Sequence, residues 1–395
     1  MSRILRSRTI RDGILLLALA CISIFLLSNP QIAIEACKNG LQLCANVIVP
    51  SLFPFFVLSG LIVNLGMVRY LDRLFAPIMQ PLFGLSGTCS AALALGMIGG
   101  YPIGARTALR LYESHQISKT EAERLLAFCN NCGPAFLFGV VGAGIFSSGI
   151  IGVFLYLVHI LASLLIGMLL RWIHPIHRLS SANLRFSYAP AMRFPAAFTA
   201  AVKDALTSTL NICAFIVCFT VLIRFGFHSG AVDLLTELLC RLLRPLGMKE
   251  SGAEALLVGM IELSSGVWGL KDAAMSVSSK VVMAAFILGW AGLCVHCQVL
   301  SFTGDTPLSV RPYLAGKFLH GTVSAALVWL LYRFLPLPQS ASSCYISQVS
   351  RICATDFSAA LQASTLTAAL VWAIVCLICF RFMKKSGSNR QRNRV

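Results

Sequence analysis

Apolar positions gather along the chain in ten blocks: 13–28, 41–68, 88–104, 122–146, 149–171, 203–226, 253–270, 279–300, 313–335 and 358–382. Most approach the roughly 20 residues that an α-helix needs to cross a hydrocarbon core about 30 Å thick. Two blocks, 88–104 and 253–270, are short and rich in glycine. Two further stretches, 71–85 and 234–246, set apolar residues at helical spacing with a proline near the end, Pro81 and Pro245. The pattern predicts an all-α, polytopic membrane protein.

The pattern also repeats. Ala36-Cys37-Lys38-Asn39-Gly40-Leu41, followed by Asn46, returns 165 positions later as Ala201-Val202-Lys203-Asp204-Ala205-Leu206, followed by Asn211. Leu71, Leu74, Pro81 and Leu82 return as Leu235, Leu238, Pro245 and Leu246. Gly96-Met97-Ile98 returns as Gly259-Met260-Ile261, and the pair Cys129 and Cys132 as Cys294 and Cys297. Four landmarks in one order predict an internal duplication, residues 36–171 and 201–336. An N-terminal transmembrane helix then occupies 1–35, a cytoplasmic linker 172–200, and a loop, a last transmembrane helix and a basic tail 337–395.

Composition sharpens this reading. The 395 residues are 57% hydrophobic and only 12% charged, with mean hydropathy +0.80. A soluble domain carries about 25% charged residues, so a soluble globular protein is excluded. The net charge of +17 sits mostly in short segments between blocks, so it reads as a topology signal and no nucleic-acid partner is expected. Arg3, Arg6, Arg8 and Arg11 place the N-terminus in the cytoplasm. Arg178, Arg185 and Arg193 place the central linker there, and Lys384, Lys385, Arg390, Arg392 and Arg394 the C-terminus. The first block resembles a signal peptide but is read as an uncleaved helix.

The number of spans must then be even. If the two glycine-rich blocks are re-entrant hairpins, the ten blocks become about eight transmembrane helices, three in each repeat. An odd count inverts the second repeat relative to the first, as in many secondary transporters with a site between the repeats. This topology leaves Arg241, Arg244, Lys249 and Lys271 outside the cell.

Candidate chemistry clusters at the breaks. Gly99-Gly100-Tyr101-Pro102-Ile103-Gly104-Ala105-Arg106 cannot stay regularly helical, and backbone freed at that depth must line a cavity or be covered by protein. Glu262 is an acid in the interior of its apolar block, which also carries Glu254 near its start; an ionisable group costs about 2.5–3.5 kcal/mol at the bilayer centre. A cation, a proton or a hydrogen-bonding cavity should compensate it; its alternative is a solvated place at the interface. The two Cys-x-x-Cys pairs together with His296 could hold zinc or iron. The reading preferred is broken helices whose Cys, Asn130, Asn131, His296 and Gln298 line a cavity, without metal. His159, alone inside an apolar span, reads as a hydrogen-bonded packing residue. The other cysteines are small hydrophobes in apolar blocks, and Cys344 with Cys353 is the one candidate disulfide. No nucleotide-hydrolysing or hydrolase motif appears, so the chain reads as no enzyme.

The first glycine-rich motif, the run Phe128-Cys129-Asn130-Asn131-Cys132-Gly133-Pro134-Ala135-Phe136 and the Gly-Met-Ile-Glu block resemble the YlbJ/SpoVV family of sporulation integral membrane proteins. That family falls within the larger group carrying nucleoside-recognition Gate domains. The resemblance covers roughly residues 14–385. It implies an endospore-forming bacterium, a place in the outer forespore membrane, and movement of dipicolinic acid from mother cell toward forespore. Nucleosides and ferrous iron are the alternative cargoes, and a non-transporting membrane scaffold is the alternative class. A planar dianion should meet cations, backbone N–H groups and an aromatic wall. Arginine's fork suits carboxylates, so Arg106 is its expected cation, with a cytoplasmic boundary charge as the plain alternative. Tyr101 and Trp268 are the expected ring partners. The candidate substrate-binding residues are Tyr101, Arg106, Asn130, Asn131, Glu262, Ser264, Ser265, His296 and Gln298. The expected partners are an anionic small molecule, the lipid bilayer, a coupling proton or ion, and a second copy of the chain; no cofactor is expected.

Overall fold

The computed structural model describes residues 2–134, 136–173 and 192–334, together with 362, 365 and 366. Every regular element among them is helical. α1 (Ser2–Ser28) turns sharply at Asn29 into α2 (Pro30–Leu43), at a bend of 98°. Proline at the first helical position suits such a start, because its missing N–H would have no intrahelical partner. A π-helical turn, Cys44–Ile48, joins α2 to α3 (Val49–Asn64), so helical structure runs from 30 to 64 with Pro54 inside it. The first half continues with α4 (Val68–Phe83), α5 (Ser90–Gly99), α6 (Ile103–Glu113), α7 (Lys119–Cys129), a π-helical segment Phe136–Ile145 and α8 (Gly149–Ile173). The second half has α9 (Phe194–His228), α10 (Ala231–Leu243), α11 (Glu250–Ile261), α12 (Leu263–Gly269), α13 (Val277–Trp290), α14 (Gly292–Thr303) and α15 (Arg311–Leu331). Its order parallels that of 30–173, beginning with one 35-residue helix opposite the helical run 30–64.

These two long elements pack against each other, and their contacts fix their direction. A Cβ on Gly40 would stand 3.0 Å from Val217 Cα, and one on Gly60 would stand 2.9 Å from the Ala201 side chain. Between them the Cys44 thiol points at Cys213 O, 3.8 Å away, and beyond them Asn64 Nδ2 donates to Ala197 O at 3.4 Å. Rising numbers on one helix meet falling numbers on the other, so these two elements run antiparallel.

Both glycine-rich blocks form helix hairpins. In the first, α5 and α6 meet so closely that a Cβ on Gly96 would stand 2.9 Å from Gly104 Cα and overlap the Cys129 carbonyl. In the second, a Cβ on Gly266 would overlap the backbone of Gly259. The repeated glycines are therefore the contact points that let two helical arms lie side by side.

Four helical stretches are long and apolar enough to cross a membrane: α8, α9, the run 277–303 and α15; two bent pairs raise the number to six if each is one span. Over the same residues the sequence pattern predicts seven of its eight spans, and the eighth, 358–382, lies outside the described residues except for 362, 365 and 366. The difference has a physical source. Block 122–146 is interrupted by the non-helical stretch 130–133, and block 41–68 carries the π turn and prolines. α8 shows how a span divides its faces. Ile150, Leu157, Leu161, Leu165 and Leu169 are exposed along one side, while Ile151, Leu155, Val158, Ala162 and Ile166 are buried along the other. An exposed apolar stripe of this kind is what lipid covers.

One landmark of the sequence repeat does not survive. Cys129 ends α7 and Cys132 lies in the non-helical break that follows. Cys294 and Cys297 lie inside α14, past a second break at Ala291 and Gly292. That second break is a tight turn with φ of 79° and 80° rather than a longer non-helical stretch. The cysteine pairs thus occupy different places in the two halves, and their common spacing is coincidental.

Candidate functional site

A cavity of about 1250 Å³ opens between the antiparallel pair, the π-helical segment and the second hairpin. The run 30–64 presents the amides of Asn39, Gln42 and Asn46 to it, and α9 presents Thr220 and Arg224. The second hairpin contributes Ser264, Ser265 and the indole of Trp268, which is half exposed. Glu254 and Asp272 complete the charged lining. One guanidinium therefore shares the cavity with two carboxylates.

Glu262 stands at the tip of the hairpin, 3% exposed. Its backbone is extended and its side chain caps α12: Oε1 accepts from Ser264 N at 2.9 Å, and Oε2 accepts from Ser265 N and Ser265 Oγ, both at 2.7 Å. The compensation expected for a buried acid is thus supplied by two backbone N–H groups and a hydroxyl at a helix start. Ser264 and Ser265 keep a place on the cavity wall while holding this carboxylate.

The other expected residues lie elsewhere. Tyr101, at the tip of the first hairpin, is buried and donates its hydroxyl to Leu288 O at 2.7 Å. It does not line the cavity with Trp268. Arg106 does not line it either; its guanidinium lies 4.8 Å from the centre of the Phe302 ring. Asn130 and Asn131 occupy the break after α7 and are fully buried, with Asn131 Nδ2 donating to Phe128 O at 3.0 Å and Ser163 Oγ at 3.2 Å. His296 and Gln298 sit within α14. The first pairs with the Tyr313 hydroxyl at 2.9 Å, the second with Cys294 Sγ at 3.4 Å. Among the described residues no group of three or more His, Cys, Asp or Glu side chains is placed to hold a metal ion.

A second polar centre forms where the first hairpin, the α7 break, α8 and α15 converge. Lys317 is fully buried there. Its ammonium donates to Tyr101 Oη at 2.9 Å, Asn130 O at 3.0 Å and His320 Nδ1 at 3.2 Å. His320 Nε2 donates in turn to His159 O at 2.9 Å, and His159 Nε2 accepts from Cys132 N at 3.0 Å. His159 is thus a buried, hydrogen-bonded packing residue, and its bond holds the break. Sequence reasoning missed Lys317 and His320. The signal was present as Tyr313, Lys317, His320 and Ser324, whose spacing by four, three and four puts them on one helical face, and all four are buried.

Comparison with known proteins adds the following. A Gate family model, described as nucleoside recognition, matches residues 45–149. The sporulation integral membrane protein YlbJ of Bacillus subtilis (strain 168) is similar at 31% identity over 327 residues, covering 78% of this chain and 79% of that protein. A CNTnw double variant in an outward-facing state aligns with a TM-score of 0.48 at 17% identity, over 82% of this chain and 86% of that one. CNTnw in an inward-facing substrate-bound state aligns with a TM-score of 0.46 at 17% identity, over 80% and 92%.

Proposed function

The chain belongs to the family of the sporulation integral membrane protein YlbJ, and from that premise we propose that it is a carrier for a small polar solute. The observation that supports this reading most is the cavity of about 1250 Å³ beside the tip of a helix hairpin. Hairpins and broken helices in both halves are what alternating-access carriers use to expose one site to two sides of a membrane. The two stretches 36–171 and 201–336 are then the moving halves.

For the cargo we propose dipicolinate, carried toward the forespore across its outer membrane, as the resemblance to the sporulation family implies. The Trp268 face suits a planar ring, and Arg224 suits a carboxylate. Glu254 and Asp272 in the same lining set a condition: a bare dianion would be repelled, so the solute enters partly protonated or paired with a cation. A second reading, nucleoside transport, is favoured by the Gate match over residues 45–149, and an uncharged nucleoside needs no such condition.

Purified protein in liposomes decides between them. Uptake of labelled dipicolinate above empty liposomes, undiminished by excess uridine or adenosine, is the expected result. Nucleoside uptake without dipicolinate uptake moves the assignment to the second reading. Neither, with folding verified, returns the protein to a scaffold or a partner-dependent role.

A further inference from the structure

Lys317 has no ionic partner among the described residues. It lies in a helix long and apolar enough to cross the membrane, and it is fully buried. A lone ammonium in such a place is costly unless fixed dipoles surround it.

The partners suit an ammonium. Asn130 O is a backbone carbonyl and can only accept. The Tyr101 hydroxyl gives its proton to Leu288 O, so its lone pair faces Lys317. His320 turns Nε2 toward the His159 carbonyl, which fixes the ring proton there and leaves Nδ1 as an acceptor in the neutral ring. Three acceptors converge on one nitrogen, and only the protonated form has three N–H bonds to give.

The location matters as much as the charge. Asn130 caps the C-terminus of α7, where unpaired carbonyls gather partial negative charge. In secondary transporters with broken helices, such carbonyls coordinate the coupling cation. We propose that Lys317 Nζ is a tethered cation occupying this place, so that the protein neither binds nor requires a diffusible sodium ion there. Naming that ion a coupling ion rests on the carrier reading; the occupancy of the place does not. The positive charge then stays with the protein in every state, and it ties the first hairpin, through Tyr101, to the second half through α15.

The test uses thermal unfolding of the full-length protein in detergent, with no solute present. Midpoints are compared in sodium chloride and in N-methylglucamine chloride at equal ionic strength. Wild type should show the same midpoint in both; a sodium-dependent rise overturns the proposal. Lys317→Ala should unfold earlier and recover part of the loss in sodium or methylammonium chloride, which can enter the space vacated by the ammonium. A folded Lys317→Ala that responds to neither ion shows that no cation place exists and also overturns it. Should that variant not fold, Lys317→Met takes its place, and the wild-type comparison decides by itself whether sodium is needed. Because no arm measures uptake, inactive liposomes would sink the carrier reading while leaving these results legible.

Discussion

Arg110 and Asp204 join the first hairpin to the long helix of the second half, with Nη2 2.8 Å from Oδ2. The arginine side chain is 13% exposed and the aspartate 50%. Arg110 also reaches Gly60, where an added Cβ would stand 3.0 Å from Nη1. One guanidinium therefore spans α3, α6 and α9 at the point where the hairpin leaves the antiparallel pair. A half-exposed ion pair is worth about 1 kcal/mol or less, so this contact positions the hairpin more than it stabilises the fold. Asp204→Asn should leave the unfolding midpoint nearly unchanged while raising hydrogen exchange in α6. Unchanged exchange would show that packing alone holds the hairpin.

The hairpin glycines make a sharper claim. A Cβ at Gly266 has no room beside Gly259, and the obstacle is backbone, which cannot rotate away. Gly266→Ala should cost about 1–3 kcal/mol or more through overpacking and separate the arms. Gly13 has nothing within 4 Å of an added Cβ, so Gly13→Ala is the matched control. Calorimetry or fluorescence-monitored unfolding of the two variants checks the difference; equal midpoints would contradict the close approach.

Glu262 offers a test of what a buried acid does at a helix start. Its three hydrogen bonds to Ser264 and Ser265 use both oxygens. Glu262→Gln removes the charge and leaves a single acceptor oxygen, so the cap weakens; losing a cap costs about 0.5–2 kcal/mol. Amide exchange at 263–266 should quicken, and uptake should fall because these residues border the cavity. Glu262→Ala should quicken exchange further. Exchange that stays at the wild-type rate in both would mean that the hairpin tip is held by its packing and the carboxylate serves another purpose.

Much of this arrangement was legible in the sequence, for definite reasons. Glycine pairs such as Gly96 with Gly104 and Gly259 with Gly266 can be read as breaks because no side chain fills the space they leave. The helical run 30–64 and its partner α9 share the motif at Asn39 and Asp204 that first marked the duplication. Lys317 was missed although its helical-face spacing with Tyr313, His320 and Ser324 was there to read: a lysine close to the start of the apolar block 313–335 looks like an interfacial charge, and the fold shows that α7 and the first hairpin cover it. Tyr101 and Trp268, expected to flank one ring, sit at different centres. Each stands on a different hairpin, and nothing in a linear pattern reports which hairpin faces which cavity. The shared spacing of the cysteine pairs misled because the second break is a two-residue turn, which places Cys294 past it.

The last prediction concerns the sign of the charge in the cavity. Arg224, Glu254 and Asp272 line it together, and all three are exposed to the space they enclose. For a carboxylate-bearing solute the guanidinium attracts and the acids repel, each more strongly in a partly desolvated cavity than in water. Arg224→Ala should therefore weaken apparent affinity for dipicolinate, and Arg224→Lys should retain part of it, since the point charge remains while the paired hydrogen bonds are lost. Glu254→Gln and Asp272→Asn should act in the other direction, strengthening apparent affinity and reducing any dependence of uptake on acid or on a divalent cation. A neutral nucleoside would respond differently: removing the carboxylates would leave its affinity unchanged or weaken it, by taking away acceptors for its hydroxyl groups. Concentration-dependent uptake by the four variants, at matched protein in the liposomes, separates these outcomes. Loss of affinity for dipicolinate on neutralising either acid would show that the carboxylates contact the solute favourably, through its proton or its paired cation, and not as repelling charges.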